Sequence, residues 1–79
     1  MRQLENLLLF LARNLVDEPE RVKVEARETD SRVDLTLHVA PDDIGKVIGR
    51  QGRTIKAIRS VVKAASVKLD RRVNVEVAD

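Results

Sequence analysis

The chain has 79 residues and a mass of 8.9 kDa, which suits one small domain spanning 1–79. It contains no Cys, one His and one aromatic residue, Phe10, which excludes disulfides, Cys- or His-based metal sites and platforms of aromatic rings for stacking bases. The net charge of +2 conceals an asymmetry, because residues 1–43 carry a net −4 and residues 44–79 a net +6. Residues 44–69 contain seven cations and no carboxylate, which favours an anionic ligand. No nucleophile–base pair or ligand cluster can be assembled, so we expect no enzyme, no metal and no cofactor.

The first part of the chain predicts a helix followed by a β-hairpin. An apolar stripe at helical spacing stops before Pro19 and predicts an N-terminal helix over 1–17, with the stripe formed by Leu4, Leu7, Leu8, Leu11 and Leu15. Its apolar run is too short for a signal peptide or a membrane span, so we expect a soluble, cytoplasmic protein without a membrane partner. Two alternating segments around the turn at Asp30 and Ser31 predict a hairpin over 21–40, whose buried face is Val22, Val24, Ala26, Val33, Leu35, Leu37 and Val39.

The second part predicts a helix–loop–helix unit and a last strand. Pro41 suits the first position of a short helix that ends near Ile48, and Asp42 and Asp43 are expected to cap this helix. After a break at Gly49, a longer row of apolar residues at helical spacing predicts a second helix, and the helix–loop–helix unit spans 42–69. The core face of the second helix is formed by Ile55, Ile58, Val62, Ala65 and Leu69. Alternating valines predict a strand over 72–78. The order helix, strand, strand, helix, helix, strand predicts an α+β fold, with a three-stranded sheet that carries its helices on one face.

A Gly-x-x-Gly loop at 49–52 lies between the two helices of this unit. The spacing alone is common by chance, but cations inside and on both sides of the loop, and a hairpin before it, are typical of KH domains. Gly49 can take the left-handed conformation that ends a helix, and Gly52 has no side chain where the next helix begins. A phosphate could therefore approach the first amide groups of that helix. The residues expected to bind RNA are Lys46, Gly49, Arg50, Gln51, Gly52, Arg53 and Lys56.

An aliphatic groove beside the loop is expected to hold the bases. One wall would come from Ile44, Val47, Ile48 and Ile55, and the other from the second strand. Such a groove holds about four nucleotides of a single strand.

The chain resembles the KhpA family of small bacterial KH-domain RNA-binding proteins over essentially its whole length. The likeness lies in the leucine-rich first helix, the stretches 39–43 and 45–53, and the run 56–59. It implies a type II KH fold, binding of single-stranded RNA, and pairing either as a homodimer or as a heterodimer with a larger KH-containing protein. It further implies a post-transcriptional regulator or RNA chaperone linked to cell division, cell shape and cell wall biogenesis.

A second apolar row lies beside the core stripe of the longer helix. Ala57, Val61 and Ala64 recur at i, i+4 and i+7, and we expect either a dimer face or a wider core stripe. Lys63 and Lys68 lie furthest from the loop and are expected to be solvated.

Two other functions stay open. A helix-turn-helix DNA-binding protein also has a short helix, a glycine-containing turn and a longer basic helix. A protein-interaction module could instead use the KH scaffold for dimerisation, with a vestigial loop. The first would prefer duplex DNA, and the second would show no salt-sensitive RNA binding.

Overall fold

The fold follows the order of elements that the sequence predicts. The computed structural model describes residues 2–78, which form the helices α1 (Arg2–Arg13), α2 (Ile44–Ile48) and α3 (Arg53–Ala65) and the strands β1 (Lys23–Glu28), β2 (Arg32–His38) and β3 (Arg72–Val77). Short 3₁₀ turns occupy Pro19–Arg21, Pro41–Asp43, Arg50–Gly52 and Val67–Leu69. The α+β class and the three-stranded sheet are thereby confirmed. No helix among residues 2–78 is long and apolar enough to cross a membrane.

The sheet is mixed and has the spatial order β1-β2-β3. β1 pairs with β2 antiparallel, with Val24 opposite Leu37, and β2 pairs with β3 parallel, with Leu35 opposite Val75. β2 is therefore paired along both edges, while β1 and β3 each have one free edge. The parallel pair is joined by the helix–loop–helix unit, because parallel neighbours need a crossover connection.

The core lies between the helices and one face of β2. Leu8, Val33, Leu35, Leu37, Val47 and Val62 are each at most 1% exposed. The predicted burial of β1 is only partly observed, because Val24 is half-buried and Ala26 is exposed on this edge strand. Burial of an aliphatic side chain contributes about 1.5 to 3 kcal/mol, so Val33, Leu35 and Leu37 on β2 are a major source of stability.

Both predicted long helices end earlier than the apolar spacing suggests. α1 ends at Arg13, where the Asn14 side-chain amide donates to the Phe10 carbonyl at 2.7 Å and so competes with the helical hydrogen bond that the Asn14 backbone N–H makes to the same oxygen at 3.3 Å. Leu15 consequently lies outside the core and is 40% exposed. α3 ends at Ala65, which is exposed, and Ser66 takes the next buried position with its hydroxyl donating to the Lys63 carbonyl at 2.8 Å.

Candidate nucleic-acid interface

The 49–52 loop owes its shape to backbone conformations that most residues avoid. Gly49 has φ 76° and ψ 173°, a region essentially restricted to glycine. Gln51 and Gly52 follow in the left-handed region, with φ of 58° and 74°. The left-handed region costs a non-glycine residue about 1–2 kcal/mol, so Gln51 is held there by the residues around it.

The two glycines of the loop have different surroundings. A Cβ on Gly49 would lie 2.1 Å from the Thr54 hydroxyl oxygen and 2.9 Å from the Thr54 backbone nitrogen. A Cβ on Gly52 would meet no atom within 4 Å. Gly49 is therefore required for the loop to pack against the start of α3, whereas Gly52 leaves open space at the surface.

Hydrogen bonds within the loop use some of the donors expected to face a phosphate. The Gly49 N–H donates to the Gly45 carbonyl at 2.9 Å, and the Gly52 N–H donates to the Gly49 carbonyl at 3.2 Å. The Arg53 N–H donates to the Arg50 carbonyl. The amides of Gly52 and Arg53 are thus engaged, so the first N–H of α3, that of Arg53, is not free for a phosphate, contrary to the expectation from the sequence.

The cations in and after the 49–52 loop are exposed and have no carboxylate partner among residues 2–78. Arg50, Gln51, Arg53 and Lys56 are all exposed. The Arg53 guanidinium donates to the Gln51 side-chain carbonyl at 3.4 Å. Within residues 2–78, none of Arg50, Arg53 and Lys56 forms an ion pair. Three exposed cations without an ion pair in the described part of the chain therefore lie within four residues of Gly52 in the sequence.

Lys46, also predicted to bind RNA, has carboxylate partners within the chain. Its ammonium is paired with Asp17 and with Asp43, the second at 3.3 Å. The hydrogen bond to Asp17, with a smaller contribution from Asp43, raises the pKa of Lys46 above its usual value of 10.5. The structure thus brings Arg50, Gln51 and Arg53 together at the loop, while it engages Lys46 elsewhere.

Asp43 has a structural role that differs from the predicted helix cap. No side-chain capping hydrogen bond is present at the start of α2. Asp43 is only 1% exposed, and its carboxylate accepts the backbone N–H groups of Asp17 and Glu18 at 3.3 and 3.1 Å. Burial alone would raise the pKa of Asp43, but these N–H groups and Lys46 hold it below the usual value of 3.8. Asp43 therefore ties the segment after α1 to the start of α2.

The predicted groove residues divide into buried and accessible ones. Val47 and Ile55 are 0% and 5% exposed and belong to the core, whereas Ile44 and Ile48 are half-buried. The second strand, expected to form the opposite wall, is central in the sheet and has no free edge. Only Ile44 and Ile48 of the predicted wall residues therefore offer appreciable surface to a base.

A concave surface lies instead between α3 and β3. Its volume is about 400 Å³, and its lining consists of Arg59, Val62, Lys63, Val73, Asn74, Val75 and Glu76. The Arg59 guanidinium donates to the Val75 carbonyl at 3.0 Å across it. The sequence did not single out the β3 residues, since valine alternation predicts a strand but not its place at the sheet edge.

Cations connect the loop to this concave surface. Arg53, Lys56, Arg59 and Lys63 follow one another at spacings of three or four along α3, which places them on one side of the helix. The loop and the α3–β3 concave surface therefore form one positively charged path.

The second apolar row of α3 faces away from the core. Ala57, Val61 and Ala64 are exposed, Val61 by 45%, so they do not widen the core stripe. Ala57 and Val61 line an apolar cleft of about 270 Å³ between α1 and α3, together with Leu11, Asn14, Leu15, Thr54 and Ile58. Ala64 lies one turn beyond Val61 on the same helix.

Comparisons with known proteins identify relatives along the whole chain. A family model described as KhpA/KhpB, KH domain, matches residues 5–77. The RNA-binding protein KhpA of Clostridium acetobutylicum is 50% identical over 74 residues, which cover 94% of this chain and 99% of that protein. The RNA-binding protein KhpA of Bacillus subtilis is 45% identical over 78 residues, covering 99% of this chain and 96% of that protein.

A similar fold occurs within a larger solved structure. The crystal structure of Era in complex with MgGDPNP and nucleotides 1506–1542 of 16S ribosomal RNA matches with a TM-score of 0.69 and 19% sequence identity. The match covers 94% of this chain and 28% of the Era chain. At this identity the likeness shows the fold alone.

Proposed function

The chain belongs to the KhpA/KhpB family of KH domains and has the type II KH fold, and we propose that it binds single-stranded RNA at the 49–52 loop. It is a binding domain rather than an enzyme. The observation that carries the proposal is a set of exposed cations without ion pairs among residues 2–78, Arg50, Arg53 and Lys56, which flank in sequence the open space at Gly52. A phosphate entering this space would meet charged donors without first breaking an ion pair, and hydrogen bonds to charged groups contribute about 1.5–3 kcal/mol each.

The bases are proposed to lie along the path that starts at the loop. Ile44 and Ile48 offer apolar surface near the loop, and the α3–β3 concave surface continues along α3. Val47 and Ile55 support this surface from the core, and Lys46 keeps the start of α2 in place through Asp17 and Asp43. Aliphatic contacts replace the aromatic stacking that the composition excludes.

The salt dependence of RNA binding tests this function. If a single strand places about four phosphates against these cations, the logarithm of the affinity should fall with the logarithm of the salt concentration with a slope near −3. This corresponds to roughly fiftyfold weaker binding at 200 mM than at 50 mM salt. Fluorescence anisotropy with a short single-stranded RNA measures it. A slope near zero would favour the vestigial-loop alternative, and a preference for duplex DNA would favour the helix-turn-helix alternative.

The apolar cleft between α1 and α3 is proposed as the face for a second protein copy or a larger KH-containing partner. Exposed Val61 and Leu15 flank this cleft, and small Ala57 and Ala64 would allow another helix to approach closely. A short RNA site binds weakly, so pairing would raise the overall affinity through avidity.

A charge placed in the cleft tests this assembly. Val61→Glu is expected to halve the mass measured by light scattering if the wild type is a dimer, because a carboxylate would be buried without a partner. Val67→Glu is a matched control, since Val67 is 78% exposed and lies outside the cleft lining. An unchanged mass for Val61→Glu beside a dimeric wild type would refute the dimer face.

The wider role that the family resemblance implies belongs to the same proposal. The protein would act in the cytoplasm as a post-transcriptional regulator or RNA chaperone linked to cell division and envelope growth. Its support is the family membership together with the proposed RNA site.

A further inference from the structure

A second concentration of positive charge lies at the far end of α3 from the loop. A concave surface of about 460 Å³ is lined there by Ser31, Lys63, Ser66, Val67, Asp70, Arg71 and Arg72. We name Lys63, Arg71 and Arg72 the distal basic patch. Asp70 is the one carboxylate in this lining.

The distal basic patch adjoins the proposed RNA path. Lys63 lines both this surface and the α3–β3 concave surface, so the two share a wall. Lys63 follows Arg53 by ten residues of helix, which corresponds to about 15 Å at the helical rise. A KH module holds about four nucleotides, so a longer strand that follows α3 would reach the patch after leaving the groove.

The charges of the patch are only partly neutralised within the protein. Arg71 lies 3.6 Å from the Glu28 carboxylate. Lys63 and Arg72 form no ion pair within residues 2–78. The sequence pattern predicts Lys63 to be a solvated bystander, yet the fold places it beside two arginines from the turn before β3.

The pairing of β2 with β3 brings two arginines into register near this patch. Arg72 stands directly opposite Arg32 in the parallel register. Arg32 is compensated by Asp34 at 2.8 Å, whereas Arg72 has no such partner among the described residues. Arg72 therefore keeps a positive charge that a phosphate could meet without first breaking an ion pair.

Given that the loop binds RNA as proposed above, we propose that the distal basic patch is a second phosphate-binding site, which holds the part of a single strand that extends beyond the groove. The patch would lengthen the bound segment past four nucleotides. It would supply affinity without base recognition, because phosphate contacts carry no sequence information.

Anisotropy titrations with four- and ten-nucleotide oligouridylates test this site. A ten-nucleotide strand offers the loop several registers, which raises its affinity without new phosphate contacts, so the salt slope is the decisive readout. For the wild type, contacts with two further phosphates should make the slope of log affinity against log salt concentration steeper by about 1.4 for the longer RNA than for the shorter one. Arg71→Gln with Arg72→Gln, two residues that line the distal surface but not the α3–β3 concave surface, should abolish this difference and weaken binding of the longer RNA roughly fivefold to tenfold, with the shorter RNA unaffected.

The matched control is Lys23→Gln with Arg27→Gln, which removes the same charge from exposed positions on β1. Repeating the comparison in the Val61→Glu background excludes bridging of one RNA by two protomers. Wild-type binding of both RNAs with equal slopes, or equal behaviour of the patch variant and its control, would overturn the distal site and leave the proposed function standing. Absence of wild-type binding to the four-nucleotide RNA would overturn the proposed function and, with it, this extension.

Discussion

Gly49→Ala is expected to destabilise the protein by about 3 to 5 kcal/mol, the largest effect on stability that we expect from adding one methyl group. The new Cβ would lie 2.1 Å from the Thr54 hydroxyl oxygen and 2.9 Å from the Thr54 backbone nitrogen, so a rotamer change of Thr54 cannot relieve the clash. The backbone at φ 76° and ψ 173° is also unfavourable for alanine. A domain of this size has a stability of roughly 4–12 kcal/mol, so much of it would be lost. Thermal unfolding followed by circular dichroism measures the change.

Gly52→Ala is the matched control for this prediction. Gly52 also has a positive φ, of 74°, but its Cβ would meet no atom within 4 Å. The free energy of unfolding should therefore fall only by the conformational cost of a left-handed alanine, about 1–2 kcal/mol. Equal unfolding temperatures for the two variants would show that the contact with Thr54 does not hold the loop.

The local pattern of the sequence predicts the order of the elements correctly, because burial on one face imposes a period of two on strands and about 3.6 on helices. Val33, Leu35 and Leu37 alternate as a buried strand should, and Ile55, Ile58 and Val62 follow the helical stripe. The loop between α2 and α3 is likewise local, because glycine and its neighbouring cations are adjacent in sequence. Helix ends are less predictable, since Asn14 stops α1 within a continuing leucine pattern.

Contacts between distant residues could not be predicted from spacing. Asp43 has the position and chemistry of a helix cap, and only the fold brings Asp17 and Glu18, which precede it by 26 and 25 residues, to its carboxylate. The Lys46 ammonium also pairs with the carboxylates of Asp17 and Asp43, although its position in the sequence groups it with the loop cations. Spacing along the sequence therefore does not show which cations of a basic segment have carboxylate partners in the fold.

The strand order also lies beyond the periodic pattern. Alternating valines are equally compatible with a central and an edge position for β3. The observed order β1-β2-β3 leaves the edge of β3 open beside α3, so the groove wall expected from the second strand is offered by β3 instead. Long-range pairing thus determines which side chains line the proposed RNA path.

Arg50→Asp combined with Gln51→Asp is expected to weaken RNA binding on the order of a hundredfold without unfolding the protein. Both side chains are exposed at the loop, so their replacement removes little packing. Two carboxylates would then face the phosphate in place of one guanidinium and one amide. Repulsion would replace a charge-assisted hydrogen bond.

The most direct measurement compares this double variant with Arg2→Asp combined with Gln3→Asp, by fluorescence anisotropy with a short single-stranded RNA. Arg2 and Gln3 are exposed on α1 and line a cleft with Ala65 and Leu69, at the end of α3 opposite the loop. The same residue types change in both proteins and the net charge changes equally, and circular dichroism confirms that each is folded. We predict that the loop variant loses RNA binding while the α1 variant binds nearly as the wild type does. Equal binding by the two variants would contradict an RNA site at the 49–52 loop.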